Sequence, residues 1–139
     1  MIRAATHYDI EGLVELFCLC DTSGAASIHW LKEVVFHLSS EESFVIVAEY
    51  EAELAGFFIG RVAFEPTLNG KLCIELHWYS RPGIKGFGAE LRRQAECIAR
   101  ERGALKMLLH CPDERVEKLV ARAGYSKTYA IYGKALTCH

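Results

Sequence analysis

The spacing of apolar and polar positions changes several times along the chain, and each change marks an element. Met1 to Ala5 is short and apolar enough for a strand. Thr6 and Asp9 offer capping oxygens ahead of a helical run in which Ile10, Leu13, Val14 and Phe17 share a face. Asp21-Thr22-Ser23-Gly24 interrupts this run, and a second helix follows with Ile28, Leu31, Val35 and Leu38 on one side, ending near Ser39-Ser40. Phe44 to Tyr50 and Leu54 to Phe64 read as a hairpin about the acidic turn Glu51-Ala52-Glu53, and Pro66, Asn69 and Gly70 form the next turn. Leu72, Ile74, Leu76 and Trp78 then alternate with Glu75, His77 and Tyr79, the period of a strand.

That strand breaks at Ser80-Arg81-Pro82-Gly83, and after Gly88 the period becomes helical. Leu91, Ala95, Ile98 and Ala99 lie on one face, with Arg92, Arg93, Glu96 and Arg100 on the other. A strand therefore feeds a helix through Gly83, Gly86 and Gly88. The first amides of a helix have no acceptor inside it and carry the positive end of its dipole, so the region from Lys85 to Ala89, helped by Lys85 and Arg81, suits a phosphate or pyrophosphate. The plainer reading is a tight turn that packs closely. The glycines are not followed by the Lys-Ser or Lys-Thr pair of a nucleoside-triphosphate loop. A dinucleotide fold would place its glycines after the first strand, with an acidic residue about 20 positions later. Beyond the helix, Gly103 is a C-cap, Ala104 to Cys111 a short apolar strand, and Pro112 a helix start. Val116, Leu119, Val120 and Ala123 face inward up to Gly124, and Tyr125 to Leu136 is one more extended segment.

Composition narrows the class. A chain of 139 residues with 51% hydrophobic and 24% charged positions is one folded domain, 1–139, with no repeats or linkers. A formal charge of -2 gives no general attraction to nucleic acid or an anionic membrane. A local basic face of Arg92, Arg93, Arg100 and Arg102 is the only feature that favours nucleic acid. No apolar run reaches the roughly 18 residues a membrane span needs, and Met1-Ile2-Arg3-Ala4 lacks a signal-peptide core, so a cytoplasmic location is expected. The six cysteines, Cys18, Cys20, Cys73, Cys97, Cys111 and Cys138, show no Cys-x-x-Cys spacing and read as free thiols. Their spacing argues for no metal site, even one that would join Cys18 and Cys20 to a distant histidine.

The central stretch resembles the cofactor motif of the GNAT superfamily of N-acetyltransferases. Gly86, Gly88 and Leu91 match its pattern, while Gly83 stands where that pattern has Arg or Gln, leaving Arg81 or Lys85 to supply charge. The opening IRAATHYDIEGLVELF is similar to the start of many such chains, and Leu119 with Gly124-Tyr125 is similar to the family's second motif. The resemblance implies an α/β (α+β) domain with a mixed, mostly antiparallel, splayed sheet flanked by helices on both faces. It further implies acetyl-CoA as cosubstrate, held by Trp78, Tyr79, Ser80, Arg81, Gly83, Ile84, Lys85, Gly86, Phe87, Gly88 and Ala89. Asp113 occupies the place of the Asn that steadies the pantetheine arm, and Val120 that of the Tyr that protonates the thiolate. The implied activity is direct transfer of acetyl to a primary amine of a small molecule or protein in a ternary complex. The alternative is a catalytically impaired binding or assembly protein that still binds CoA.

For the chemistry, Glu75 is the favoured base: a carboxylate within an apolar strand, where desolvation raises its pKa toward a useful range. His77, two residues on and so expected on the same side, is the second candidate. For both, the competing reading is a solvated outer-face position. Tyr132, with Tyr79 and Tyr129, is a candidate proton donor against a reading of simple sheet packing. Asp21, Glu33, Glu41 and Glu42 would attract a cationic acceptor or be solvated helix charges. Tyr129 to Leu136 suits pairing across a two-fold axis in a homodimer.

Overall fold

The computed structural model describes residues 1–136. It divides into two compact units, Met1–Leu109 and His110–His139. The first holds a sheet of β1 (Ile2–Ala4), β2 (Ser43–Tyr50), β3 (Glu53–Glu65), β4 (Gly70–Ser80) and β5 (Ala104–Leu108), together with helices α1 (Ile10–Cys20), α2 (Ser27–Ser39) and α3 (Phe87–Glu101). Spatial order follows chain order. Neighbours are antiparallel except β4 and β5, which run parallel because α3 carries the chain back between them. The sheet is thus mixed and mostly antiparallel, with helices on both faces.

Each face has its own core. On one, Phe44, Ile46, Phe58, Val62 and Cys73 pack against Leu91, Ala95 and Ala99 of α3. On the other, Val45, Val47, Phe57 and Ile59 pack against Leu13, Leu16 and Phe17 of α1 and Val34 of α2. Phe17 is the centre of the second core, its ring 4.6 Å from Phe57 and stacked at 4.7 Å on Trp30. The β2–β3 hairpin turns at Glu51 and Ala52, both with positive φ (50° and 64°), as a two-residue loop between right-twisted strands demands. Burial of the strands imposes this on residues that do not prefer it. At the N-terminus, Thr6 caps a 3-10 turn at His7–Asp9, and buried Asp9 accepts from Arg3 at 2.7 and 2.8 Å and from the Thr6 amide.

Three expectations are corrected. The apolar stripe Ile28, Leu31, Val35 of α2 faces outward, at 55%, 37% and 43% exposure, and the helix instead buries Val34 and His37. The sheet side selects this stripe because Trp30 stacks on Phe17 and donates Nε1–H to Asp21, fixing the helix rotation. In the second unit, α4 (Glu114–Arg122) forms with Asp113 as its N-cap, but 125–136 has neither strand nor helix. Ile131, Tyr132 and Leu136 are 72%, 93% and 90% exposed, so no buried face stabilises an extended ladder there. The strand expected over Ala104 to Cys111 ends at Leu108.

Candidate active site

β4 is longer than its outer neighbour. Its ladder to β5 runs only from Lys71 to Ile74, whereas its ladder to β3 continues to Ser80. From Glu75 onward the two parallel strands no longer pair, which is the splay expected at this strand.

The register slips within this part of β4. Ile59 faces His77 and Gly60 faces Glu75, so Leu76 is an extra residue against β3, a β-bulge. The bulge corrects the expectation that Glu75 and His77 share a side. Cross-strand partners lie on the same face of a sheet. Gly60 lies under the Phe44 ring, so Glu75 belongs to the α3 face; Ile59 packs on α1 and α2, and His77 goes with it. Glu75 is 5% exposed. The His77 ring meets Phe17 edge-on at 4.9 Å, and its Nε2 lies 3.3 Å from Oε1 of Glu33. The same Glu33 oxygen is 2.9 Å from Nε2 of His37, whose Nδ1 lies 3.2 Å from the buried Ser43 hydroxyl. Burial pushes the Glu33 carboxyl up, but the hydrogen bonds to His37 and His77 outweigh it and hold the group below its ordinary value. His37 and Ser43 were not singled out in the sequence; the one local signal was the Glu33/His37 spacing of four on a helix.

Beyond the bulge, Trp78 packs on the α3 face beside Phe58 and Tyr79 on the other beside Phe57. Ser80 ends the strand and the Arg81 amide donates to Ala55 O at 2.7 Å. Pro82, Gly83, Lys85 and Gly86 are exposed, while Ile84 and Phe87 pack partly into the α3-side core. Gly86 caps α3 with φ +94° and no side-chain hydrogen bond, and the first helical bond is donated by Glu90 to Gly86 O. The amides of Phe87, Gly88 and Ala89 therefore have no acceptor inside the helix. A Cβ at Gly88 would stand 3.3 Å from Ser80 Oγ, so a bare backbone there lets the helix end approach the strand end. Arg81 Nε is buried with no hydrogen-bond partner among the described residues, and Arg81 lines a cavity of about 270 Å³ with Tyr50, Glu53 and Ile84. Glu51 also lines this cavity, which contains none of the α3 amides; the orphaned guanidinium nitrogen and the open helix end are each of a kind that suits an anion. A second cavity of about 590 Å³, lined by Tyr8, Glu11, Ile28 and Leu31 among others, shares no residue with this loop.

In the second unit, the Asp113 carboxylate accepts from the Val116 amide at 2.9 Å, and Tyr132 is exposed. The expected basic face of α3 is largely occupied: Arg92 holds Glu96 at 2.8 Å, Arg93 pairs with Glu90, and Arg102 lies over the Phe44 ring and donates to Ser43 O. Cys18, Cys20, Cys73 and Cys97 are free thiols, and burial pushes that of Cys73 up to about 11; Cys138 lies outside the described residues. No helix among the described residues is long and apolar enough to cross a membrane.

A strand that leaves its parallel neighbour, a bulge at the point of departure and a glycine-opened helix end belong to one mixed α/β fold. Specifically, the chain has the GNAT acetyltransferase fold. It superposes on a GNAT family acetyltransferase of Staphylococcus aureus with a TM-score of 0.79 at 16% identity, covering 98% of each chain. A ribosomal-protein-alanine N-acetyltransferase of Brucella melitensis gives 0.80 at 18% identity over 98% of this chain and 99% of the other. The structure of AAC(6')-Iy in complex with the bisubstrate analog CoA-S-monomethyl-acetylneamine gives 0.82 at 14% identity over 99% and 98%. No family model matches the chain, and no curated protein matches its sequence.

Proposed function

We propose that the protein is an N-acetyltransferase that moves the acetyl group of acetyl-CoA to a primary amine of a small molecule or protein in a ternary complex. The observations that carry this reading are the glycine-opened N-terminus of α3, which follows by a short loop the strand that has left β5, and the orphaned, buried Arg81 Nε in that loop. In this reading the Phe87, Gly88 and Ala89 amides and Arg81 hold the diphosphate, with Lys85 adding charge from solvent. Backbone groups of β4 beyond Ile74 lie along the thioester arm.

The neutral amine attacks the thioester carbonyl, a C–N bond forms, the C–S bond breaks, and the amine proton leaves to a base while the thiolate takes a proton. Glu75, buried on the α3 face, is the proposed base, and the thiolate takes its proton from water. His77 is engaged by Glu33 on the opposite face. The fold likeness to an enzyme crystallised with a CoA-based bisubstrate analog supports the cosubstrate. Calorimetric titration with CoA tests the cradle. The native chain binds, and Gly86→Val with Gly88→Val abolishes binding; unchanged affinity rejects the cradle.

A second reading, a GNAT-fold protein that binds CoA without turnover, is favoured by Val120 at the place of the usual tyrosine and by Asp113 spending its carboxylate on the α4 cap. CoA binding without acetyl transfer to any of a panel of amines would select it.

A further inference from the structure

The geometry points to a second site on the other face of the sheet: we infer that Glu33, His37 and His77 bind a divalent transition-metal ion of the zinc, cobalt or nickel kind. One ligand atom from each, a carboxylate oxygen and two imidazole nitrogens, can be chosen so that all lie within 4.8 Å of one another. Glu33 Oε1 is 2.9 Å from His37 Nε2 and 3.3 Å from His77 Nε2. An ion with metal–donor distances of about 2.1 Å holds neighbouring donors roughly 3.4 Å apart in a tetrahedron. The two Glu33 pairs already have nearly that spacing. Two nitrogens and one carboxylate suit these metals better than magnesium or calcium, which prefer all-oxygen shells.

Three features build the site. Glu33 and His37 are four apart on α2 and therefore share a helix face. The bulge at Leu76 turns His77 toward that helix; without it the strand alternation would carry His77 to the α3 face. Ser43 lies 3.2 Å from Nδ1 of His37, so when an ion displaces the Nε2 proton now shared with Glu33, Nδ1–H can be donated to the hydroxyl and Nε2 is left to ligate. His37 is buried, whereas the side chains of Glu33 and His77 are 33% and 30% exposed, so the cluster is reached by solvent, which would supply the fourth ligand. A bound ion would cross-link α2 to the central strand.

The test uses the full chain stripped with a chelator and titrated with Co²⁺, with Zn²⁺ as competitor. The expected result is one equivalent bound, with visible absorption of nitrogen and oxygen ligation and no thiolate charge-transfer band. Thermal melting should shift upward with Zn²⁺. Glu33→Gln and His77→Ala should each weaken binding by at least about tenfold, and Ser43→Ala by about 10–100-fold, as for other residues that orient a metal ligand. Cys18→Ser with Cys20→Ser should change nothing. His37→Gln, in a buried position, is read only if circular dichroism shows it folded; the two exposed ligands keep the test decisive. Absence of binding, binding unchanged in Glu33→Gln and His77→Ala, or a thiolate band lost with the cysteines would overturn the assignment and leave a hydrogen-bonded His–Glu–His cluster. The readout is the metal alone, so it stands apart from CoA binding and acetyl transfer.

Discussion

Gly56 holds the β3–β4 pair close to the point where β4 gives way to the loop before α3. It faces Ser80 across the β3–β4 ladder. A Cβ there would stand 2.6 Å from Tyr79 O, and 3.1 Å from both Ser80 Cα and Leu91 Cδ1, where ordinary contact begins at 3.4 Å. Two of the three atoms are backbone, so relief requires β4 to move away from β3 or Leu91 and α3 to move outward. Overpacking of this kind costs about 1–3 kcal/mol. In a chain of this size that is a fall in Tm of roughly 3–15 °C. Gly12 supplies the matched control, since its Cβ would meet only the end of the Leu54 side chain, at 2.9 Å from Cδ1. A flexible tip can turn aside, and alanine in a helix interior is favoured over glycine by about 1 kcal/mol. Thermal denaturation followed by circular dichroism should therefore separate two substitutions of identical chemistry. Gly56→Ala melts several degrees low, and Gly12→Ala melts at or above the native chain. Hydrogen exchange at the Arg81 amide, bonded to Ala55 O at 2.7 Å, should quicken only in Gly56→Ala. Equal melting temperatures for the two variants would refute the argument from backbone proximity.

Asp9 is held below the ordinary carboxylate range chiefly by its hydrogen bonds from Arg3. Because its pKa is lower folded than unfolded, its stabilisation is complete above an unfolded value of about 3.9 and fades as pH falls through the folded value. Asp9→Asn should lower stability at pH 7 by about 1–3 kcal/mol and flatten the acid limb of a stability–pH curve; a parallel curve would be the contrary result. Phe17→Ala, which empties the centre of the α1/α2-side core, should cost about 3–5 kcal/mol in urea denaturation. Glu75→Gln should lower turnover with an amine substrate while CoA affinity stays near native, and an unaltered rate would remove Glu75 from the mechanism.

Local patterns carried most of the architecture. The alternation over Leu72 to Trp78, the glycines before Phe87 and the stripe Leu91, Ala95, Ala99 place β4, the loop and α3 within a residue or two, because each depends on neighbours close in the chain. The open amides at the start of α3 were legible for the same reason: a helix end exposes its amides whatever packs around it. The cluster of Glu33, His37 and His77 was not. Its geometry depends on a one-residue slip between β3 and β4 and on which of two apolar stripes of α2 meets the sheet.

Spacing along the chain was enough to specify most of the strands, turns and helices, and the glycine-opened start of α3. The separation of Glu75 from His77, the inward turn of His37 and the meeting of Glu33 with a histidine 44 positions away arose only on packing. A periodic pattern says which residues of one element lie together. Which side of that element becomes the inside is set by the shapes of distant side chains, here Phe17, Trp30 and Phe44, competing for the same buried volume.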